Sequence, residues 1–139
     1  METGIKCPLH FEEKNGVLSA ELSAETRKLL QETAGCMPWS FKGKRGLLYC
    51  SMEIFEKANR ELEDGLKKSP LMAQIVRQVS HLYEIDAEGW FCLPRQAAQF
   101  AHIHGDAVLC KVSDGLLLLL AVEKTEEKPK EGEGIQVKA

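Results

Sequence analysis

The 139-residue sequence lacks a strong charge of either sign, a long hydrophobic run and a basic, apolar leader after Met1. Its net charge is −3 and its pI is about 5.8, which argues against a strongly basic nucleic-acid-binding protein. The longest aliphatic run, residues 116–122, is far too short to cross a bilayer as a helix. We therefore expect a cytoplasmic protein with no membrane partner.

The sequence also lacks any C-x-x-C pair, and its five cysteines are an odd number. This pattern gives no disulfide framework and indicates reduced, mostly buried thiols, as in a cytosolic protein. The five positions are Cys7, Cys36, Cys50, Cys92 and Cys110.

Metal ligands are too few for a predicted site. If His102 and His104 lay on one strand, both would project to the same face and could act with Cys92 or Cys110. Structural zinc takes four ligands, and no third or fourth ligand occurs here at a usual spacing. We therefore predict no metal and no cofactor.

Catalytic groups are also missing. The carboxylate pairs Glu12/Glu13 and Asp86/Glu88 flank glycine turns, where side chains usually point into solvent. No nucleophile and base lie at a meaningful spacing, and no phosphate-binding glycine loop occurs. We predict that the protein is not an enzyme and has no small-molecule substrate.

What the sequence does contain is a repeated hairpin. Residues 83–94 predict a strand, a tight turn at Gly89 and a second strand that ends at Pro94, followed by a short helix over residues 95–101. Proline lacks the amide proton that a strand ladder needs and suits the first turn of a helix.

Residues 11–20 repeat this arrangement near the start of the chain. Glu13 and Gly16 stand where the second copy has Asp86 and Gly89. In both copies a helical segment and two further apolar runs follow the hairpin. In the first copy Ser23 is expected to cap this helix and Gly35 to end it. Two copies predict one pseudo-twofold domain, because a solenoid needs three or more repeats.

This order of elements resembles the MraZ family of bacterial transcriptional regulators, which are built from two AbrB-type swapped-hairpin units. The family hairpin reads roughly L-D-x-x-G-R-apolar-x-apolar-P, and residues 85–94 match it except at the arginine. The resemblance covers about residues 7–122. It implies a DNA-binding, nucleoid-associated regulator that forms a ring-like homo-oligomer. Further matching segments are Ala101-His102-Ile103, Val108-Leu109, Asp114-Gly115, Gly46-Leu47-Leu48-Tyr49 and Phe55-Glu56-Lys57.

The implied fold is α+β: a double AbrB-like β-hairpin barrel of two pseudo-equivalent β-β-α-β-β units with linking helices. The tail is rich in Glu, Lys and Gly, a composition that favours disorder. The expected divisions are a flexible N-terminus (1–6), a first repeat (7–50), linking helices (51–80), a second repeat (81–122) and a disordered tail (123–139). The linking helices are expected to break at Ser69-Pro70, and the apolar side of the second one is predicted to contain Leu71, Ile75, Val79 and Leu82.

Neither copy keeps the recognition arginine of the family, whose place is taken by Val17 and Trp90. An arginine fork binds phosphates or guanine edges, and valine or tryptophan cannot replace those donors. Trp90 either packs in the fold or stacks on an exposed base. In the two copies the turn positions of the family fall at Glu13, Gly16, Asp86 and Gly89.

The densest basic cluster is Lys42, Lys44 and Arg45 in the second predicted turn, residues 42–46, and Lys14 could join the same surface. These cations are either a solvated hairpin tip or phosphate contacts, which position a protein on DNA without reading sequence. A ring would repeat them as a positive rim. The alternative function is an oligomeric structural or protein-binding module that has lost DNA binding.

Overall fold

The computed structural model describes the backbone of residues 5–122, and the side chains of that range except residues 62–68 and 72. This part of the chain is α+β, with four helices and ten short strands. The strands form two antiparallel sheets that together make a nearly closed barrel, so the expected α+β barrel is confirmed. Residues 1–4 of the predicted flexible N-terminus and the whole predicted tail, 123–139, lie outside the described residues.

Each half of the chain contributes five strands and one helix, and two helices lie between the halves. The first half contains β1 (Lys6–His10), β2 (Glu12–Lys14), β3 (Val17–Glu21), α1 (Ala24–Leu30), β4 (Gly35–Phe41) and β5 (Lys44–Cys50). The connecting helices are α2 (Met52–Lys68) and α3 (Pro70–Val79). The second half contains β6 (His81–Leu82), β7 (Glu84–Ile85), β8 (Trp90–Leu93), α4 (Arg95–Ala101), β9 (Asp106–Ser113) and β10 (Leu116–Ala121).

The two halves are interlocked through their strand pairing. The larger sheet has the order β1-β9-β10-β5-β4-β6, and the smaller sheet has the order β2-β3-β8-β7. Both orders stay the same when the two halves are exchanged. The first strand of each half pairs with the fourth strand of the other half, so neither half completes its larger sheet without the other.

The shared core is built by alternate strand residues and by an aromatic cluster from both halves. Phe91 lies at its centre, with ring centroids 5.5 Å from Tyr49, 5.9 Å from Tyr83 and 6.0 Å from Phe11. Such tilted ring pairs stabilise a core beyond the area that they bury. The fully buried aliphatic side chains of the larger sheet, including Leu47, Leu109, Leu117 and Leu119, face the same core.

Helix α1 begins as the sequence predicts and ends earlier than predicted. The Ser23 side chain caps it by accepting a hydrogen bond from the Thr26 amide at 3.1 Å. The prediction that Gly35 ends this helix was wrong, because the helix ends at Leu30 and Gly35 is the first residue of β4. The aromatic ring of Phe55 occupies the space that a side chain at position 35 would need, so this glycine lets α2 pack directly on β4.

Two hairpins turn through two residues with positive φ. Asn15 and Gly16 have φ values of 56° and 83°, which confirms the predicted turn between β2 and β3. The basic turn between β4 and β5 is shorter than the predicted range, residues 42–46. Only Lys42 and Gly43 form it, with φ values of 51° and 84°.

The helices between the halves follow the predicted break at Ser69-Pro70. On α3, Ile75 and Val79 pack against the core as expected. Leu71 and Leu82 do not join them: Leu71 is 71% exposed, and Leu82 lies in β6, beyond the end of the helix. Among the described residues no helix is long and apolar enough to span a membrane.

Candidate nucleic-acid interface

Lys14, at the end of β2, reaches from the first hairpin to the second. Its Nζ atom lies 4.1 Å from the centroid of the Trp90 ring and 3.3 Å from Oε1 of Glu88. An ammonium group at this distance over an indole is attracted by the negative face of the ring. The structure therefore brings together two of the predicted site residues, Lys14 and Trp90, in a contact within the protein.

Val17 and Trp90, which take the place of the family arginine, differ in exposure. Val17 is paired with Lys14 in the β2–β3 ladder and is 37% exposed. Trp90 is only half-buried, but Lys14 covers one face of its ring. Since a base would stack on such a face, the contact with Lys14 competes with base stacking at Trp90.

Asp86 builds the turn of the second hairpin. Its Oδ1 atom accepts hydrogen bonds from the amides of Trp90 and Glu88, each at 2.9 Å. The bond from the Trp90 amide is the largest cause that holds the pKa of the Asp86 carboxyl below its ordinary value, and the Glu88 amide and the charge of Lys14 add to it. This carboxylate therefore orders the backbone ahead of Gly89, whose φ is 90°.

Glu13 does not occupy the position in the first hairpin that Asp86 holds in the second. The backbone amide of Asp86 donates to the carbonyl of Trp90, whereas Glu13 pairs with Leu18 and Lys14 pairs with Val17. The turn between β7 and β8 contains one more residue than the turn between β2 and β3. When the two hairpins are aligned on their glycines, the acidic position is therefore shifted by one residue. In strand register Lys14 pairs with Val17, which is the equivalent of Trp90.

The two hairpins of the smaller sheet carry an acidic surface. Residues 12–21 and 84–93 contain six exposed carboxylates and a single basic residue, Lys14. Such a surface repels a polyanion. Lys14 is already paired with Glu88, and the nearby cation from outside these ranges is Arg27 of α1, whose guanidinium lies beside Gly89. The six carboxylates belong to Glu12, Glu13, Glu21, Glu84, Asp86 and Glu88.

The cations of the β4–β5 hairpin lie on the larger sheet. We call Lys42, Lys44 and Arg45 the basic tip; all three are exposed. Arg45 stacks over Phe100 of α4, with 5.1 Å between Cζ and the ring centroid, and Lys42 Nζ lies 5.3 Å from the ring of Phe41. Lys14 lies on the other sheet, so the structure divides the predicted cations between two surfaces.

Sequence reasoning missed the aromatic pair beside the basic tip. The ring centroids of Trp39 and Phe41 lie 6.3 Å apart, and Phe41 is 59% exposed. The signal was available, because alternate residues of a strand share a face and Lys42 follows Phe41 directly. A large exposed ring beside cations is a feature of surfaces that bind nucleic acids or proteins.

The two histidines considered as metal ligands are not on a strand. His102 caps the end of α4 with φ 59°, and His104 lies in the loop before β9, so the assumed projection to one strand face was wrong. Within the described side chains, no group of three or more His, Cys, Asp or Glu residues could hold a metal ion.

No protein-family model and no curated protein matches the sequence. The function therefore has to be argued from the arrangement of the residues. The described part of the chain presents two surfaces of opposite charge, the acidic hairpins and the basic tip.

Proposed function

We propose that the protein is a DNA-binding transcriptional regulator resembling MraZ, with altered recognition of its target. In this proposal the chain has the double AbrB-like arrangement that the resemblance implies. The exchange of strands between the two halves supports it, because each half lends its first strand to the larger sheet beside the other half. DNA phosphates are contacted by the basic tip, while the hairpins of the smaller sheet contribute little.

The observation that carries this proposal is the projection of the basic tip beyond the neighbouring strands. β4 and β5 pair with each other as far as Phe41 and Lys44. β10 pairs with β5 only over residues 47–50, and β6 pairs with β4 only at residues 35 and 36. Among the described residues, no strand pairs with β4 or β5 at the tip itself, so its three cations can approach a duplex.

Self-assembly belongs to the same proposal. A ring-like homo-oligomer repeats the basic tip around its axis and joins separate cations into a continuous positive rim. Contacts of this kind position a protein on DNA without reading base sequence. Recognition of a particular site then depends on the shape of the DNA and on the spacing of the tips.

The test is fluorescence anisotropy at low salt with duplex DNA from upstream of the protein's own gene. The parent should bind, and K42Q/K44Q/R45Q should bind at least about tenfold more weakly, since three charge-assisted contacts are lost. The control K6Q/K28Q/K57Q removes the same charge from exposed positions outside the tip. Equal affinity of the two triple variants would refute the assignment of DNA binding to the tip.

A second candidate function is an oligomeric structural or protein-binding module that has lost DNA binding. It is favoured by the six carboxylates of the hairpins and by the engagement of Lys14 with Glu88. If the parent binds no duplex at low salt but light scattering shows an oligomer, this second function is preferred.

A further inference from the structure

An open groove of about 700 Å³ lies between the basic tip and the loop that follows α4. Lys44 and Arg45 line one side of it, and His102 and His104 line the other. Its floor is apolar and is formed by the ends of β9 and β10, including Val108, Leu120 and Ala121.

The polar groups of the groove differ in whether they already have a hydrogen-bond partner within the described part of the protein. Asp106, the one carboxylate among the described residues of the lining, accepts a hydrogen bond from Nδ1 of His10 at 2.7 Å. The side chains of Lys44, His102 and His104 make no hydrogen bond or ion pair with another described residue. The groove therefore presents free nitrogen-bearing groups, while its carboxylate already has a partner.

An apolar floor beside the cations Lys44 and Arg45 suits one chemical class of ligand. The floor removes aliphatic or ring surface from water, and the cations hold a negative head group by charge-assisted hydrogen bonds. The volume lies within the range of small-molecule sites, about 300–1,000 Å³. We propose that the groove binds an amphipathic anion, meaning a carboxylate or phosphate attached to an apolar body.

Binding there would regulate the function proposed above, on which this part of the inference rests. Lys44 and Arg45 belong both to the basic tip and to the groove wall. A ligand head group and a DNA phosphate cannot use the same two cations at once. The amphipathic anion therefore weakens DNA binding, and DNA weakens the binding of the anion by the same factor.

Octanoate and octyl phosphate, each kept below its micelle concentration, distinguish a carboxylate head group from a phosphate head group. Octanol supplies the apolar body alone, and inorganic phosphate supplies the anion alone. Titration of the isotope-labelled full chain should give saturable amide shifts at Gly105 and Val122 with at least one amphipathic anion. Shifts with octanol as large as those with both anions would overturn the proposal, and so would no shift with either anion.

Variants test whether the named residues form the site. K44Q/R45Q should weaken binding of the better anion by about tenfold, the loss of one charge-assisted contact or more. K28Q/K57Q removes the same charge elsewhere and should leave affinity unchanged. Ala121→Trp fills the floor without changing charge and should also weaken binding. If both groove variants fold by circular dichroism and bind like the parent, the assignment is wrong.

The failure of this inference can be told apart from failure of the proposed function. Displacement of bound duplex by the better anion, but not by octanol, supports the competition. If the parent binds the anion at the groove but binds no DNA, the regulatory part is wrong and the ligand site stands. If duplex is bound and a saturating anion does not displace it, the shared use of Lys44 and Arg45 is refuted.

Discussion

Lys14 of the first half lies over the indole ring of Trp90 of the second half, with 4.1 Å between Nζ and the ring centroid. The position at which the MraZ-like pattern expects a DNA-binding arginine is thus engaged in a contact between the two hairpins. The same lysine pairs with Glu88. Within residues 12–21 and 84–93, the basic side chain is therefore already engaged inside the protein.

Restoring the family arginine should have different effects at Val17 and at Trp90. Val17→Arg adds a guanidinium at a position that is 37% exposed, so the variant should fold like the parent and bind duplex more tightly. Its log–log salt slope should steepen by about 0.9, the contribution of one neutralised phosphate. Circular dichroism and anisotropy check the two expectations. A folded Val17→Arg variant with the parent's affinity and slope would show that this hairpin does not face DNA.

Trp90→Arg should behave differently from Val17→Arg. It removes the ring under Lys14 and places two cations close together, so the melting temperature should fall. Trp90→Phe keeps an aromatic face and should lie between the parent and Trp90→Arg. A thermal melt of Trp90→Arg that matches the parent would show that the Lys14–Trp90 contact contributes nothing to stability.

Gly35→Ala tests the packing of α2 on β4. Because the ring of Phe55 fills the space of the new methyl group, the substitution should cost about 1–3 kcal/mol in free energy of unfolding, as overpacked cores do. Gly105→Ala is the matched control, since there the added carbon would meet no described atom within 4 Å beyond the neighbouring residues in the chain. Urea denaturation measures both. If Gly35→Ala were as stable as Gly105→Ala, direct contact between Phe55 and Gly35 would be refuted.

The sequence was informative about the turns and the order of elements, because those depend on local chemistry. Asn15-Gly16 predicts its hairpin from the positive φ values that these residues tolerate. Ser23 predicts the start of α1 in the same way, through its cap. Gly35 was misread because a glycine after a helix usually ends it, whereas here its missing side chain makes room for Phe55, 20 residues later in the chain.

The candidate site was harder to predict, because it depends on contacts between the halves. Lys14 was grouped with Lys42, Lys44 and Arg45 on charge alone, and only strand order shows that it lies on the other sheet. An alignment of the two hairpins on their glycines also does not reveal the extra residue in the turn between β7 and β8. A side chain that reaches from one hairpin to the other leaves no spacing pattern in the sequence.

Asp86→Ala should destabilise the protein in a pH-dependent way. The folded state holds the pKa of this carboxyl below its ordinary value of 3.8, so the charged form contributes stability above that pH. The contribution is lost as the pH falls through the lower, folded-state pKa. The difference in melting temperature between parent and variant should therefore be largest near neutral pH and shrink below pH 3.8.

Glu13→Ala is the control for this pH series. Glu13 is exposed, and its side chain makes no hydrogen bond or ion pair within the described residues. Its removal should change the melting temperature little at any pH. A constant difference between parent and Asp86→Ala from neutral pH down to acid would contradict the role given to the Asp86 carboxylate.

Alkylation of the native protein should follow the burial of its thiols. Burial raises the pKa of Cys36 to about 12, and it also raises the pKa of Cys50, so neither forms much reactive thiolate near neutral pH. Cys92 and Cys110 are only half-buried. Iodoacetamide at pH 8 followed by peptide mass spectrometry should find Cys92 or Cys110 modified first. Early modification of Cys36 would show that β4 opens.

The salt dependence of DNA binding tests the central proposal most directly. The affinity of the parent for a duplex should fall linearly with salt on a log–log plot. Loss of three phosphate contacts in K42Q/K44Q/R45Q should flatten that slope by about 2.7, or about 0.9 for each cation. The charge-matched control K6Q/K28Q/K57Q should keep the parent's slope. A triple tip variant that folds and keeps the parent's slope would contradict the account, because the basic tip would then make no phosphate contact.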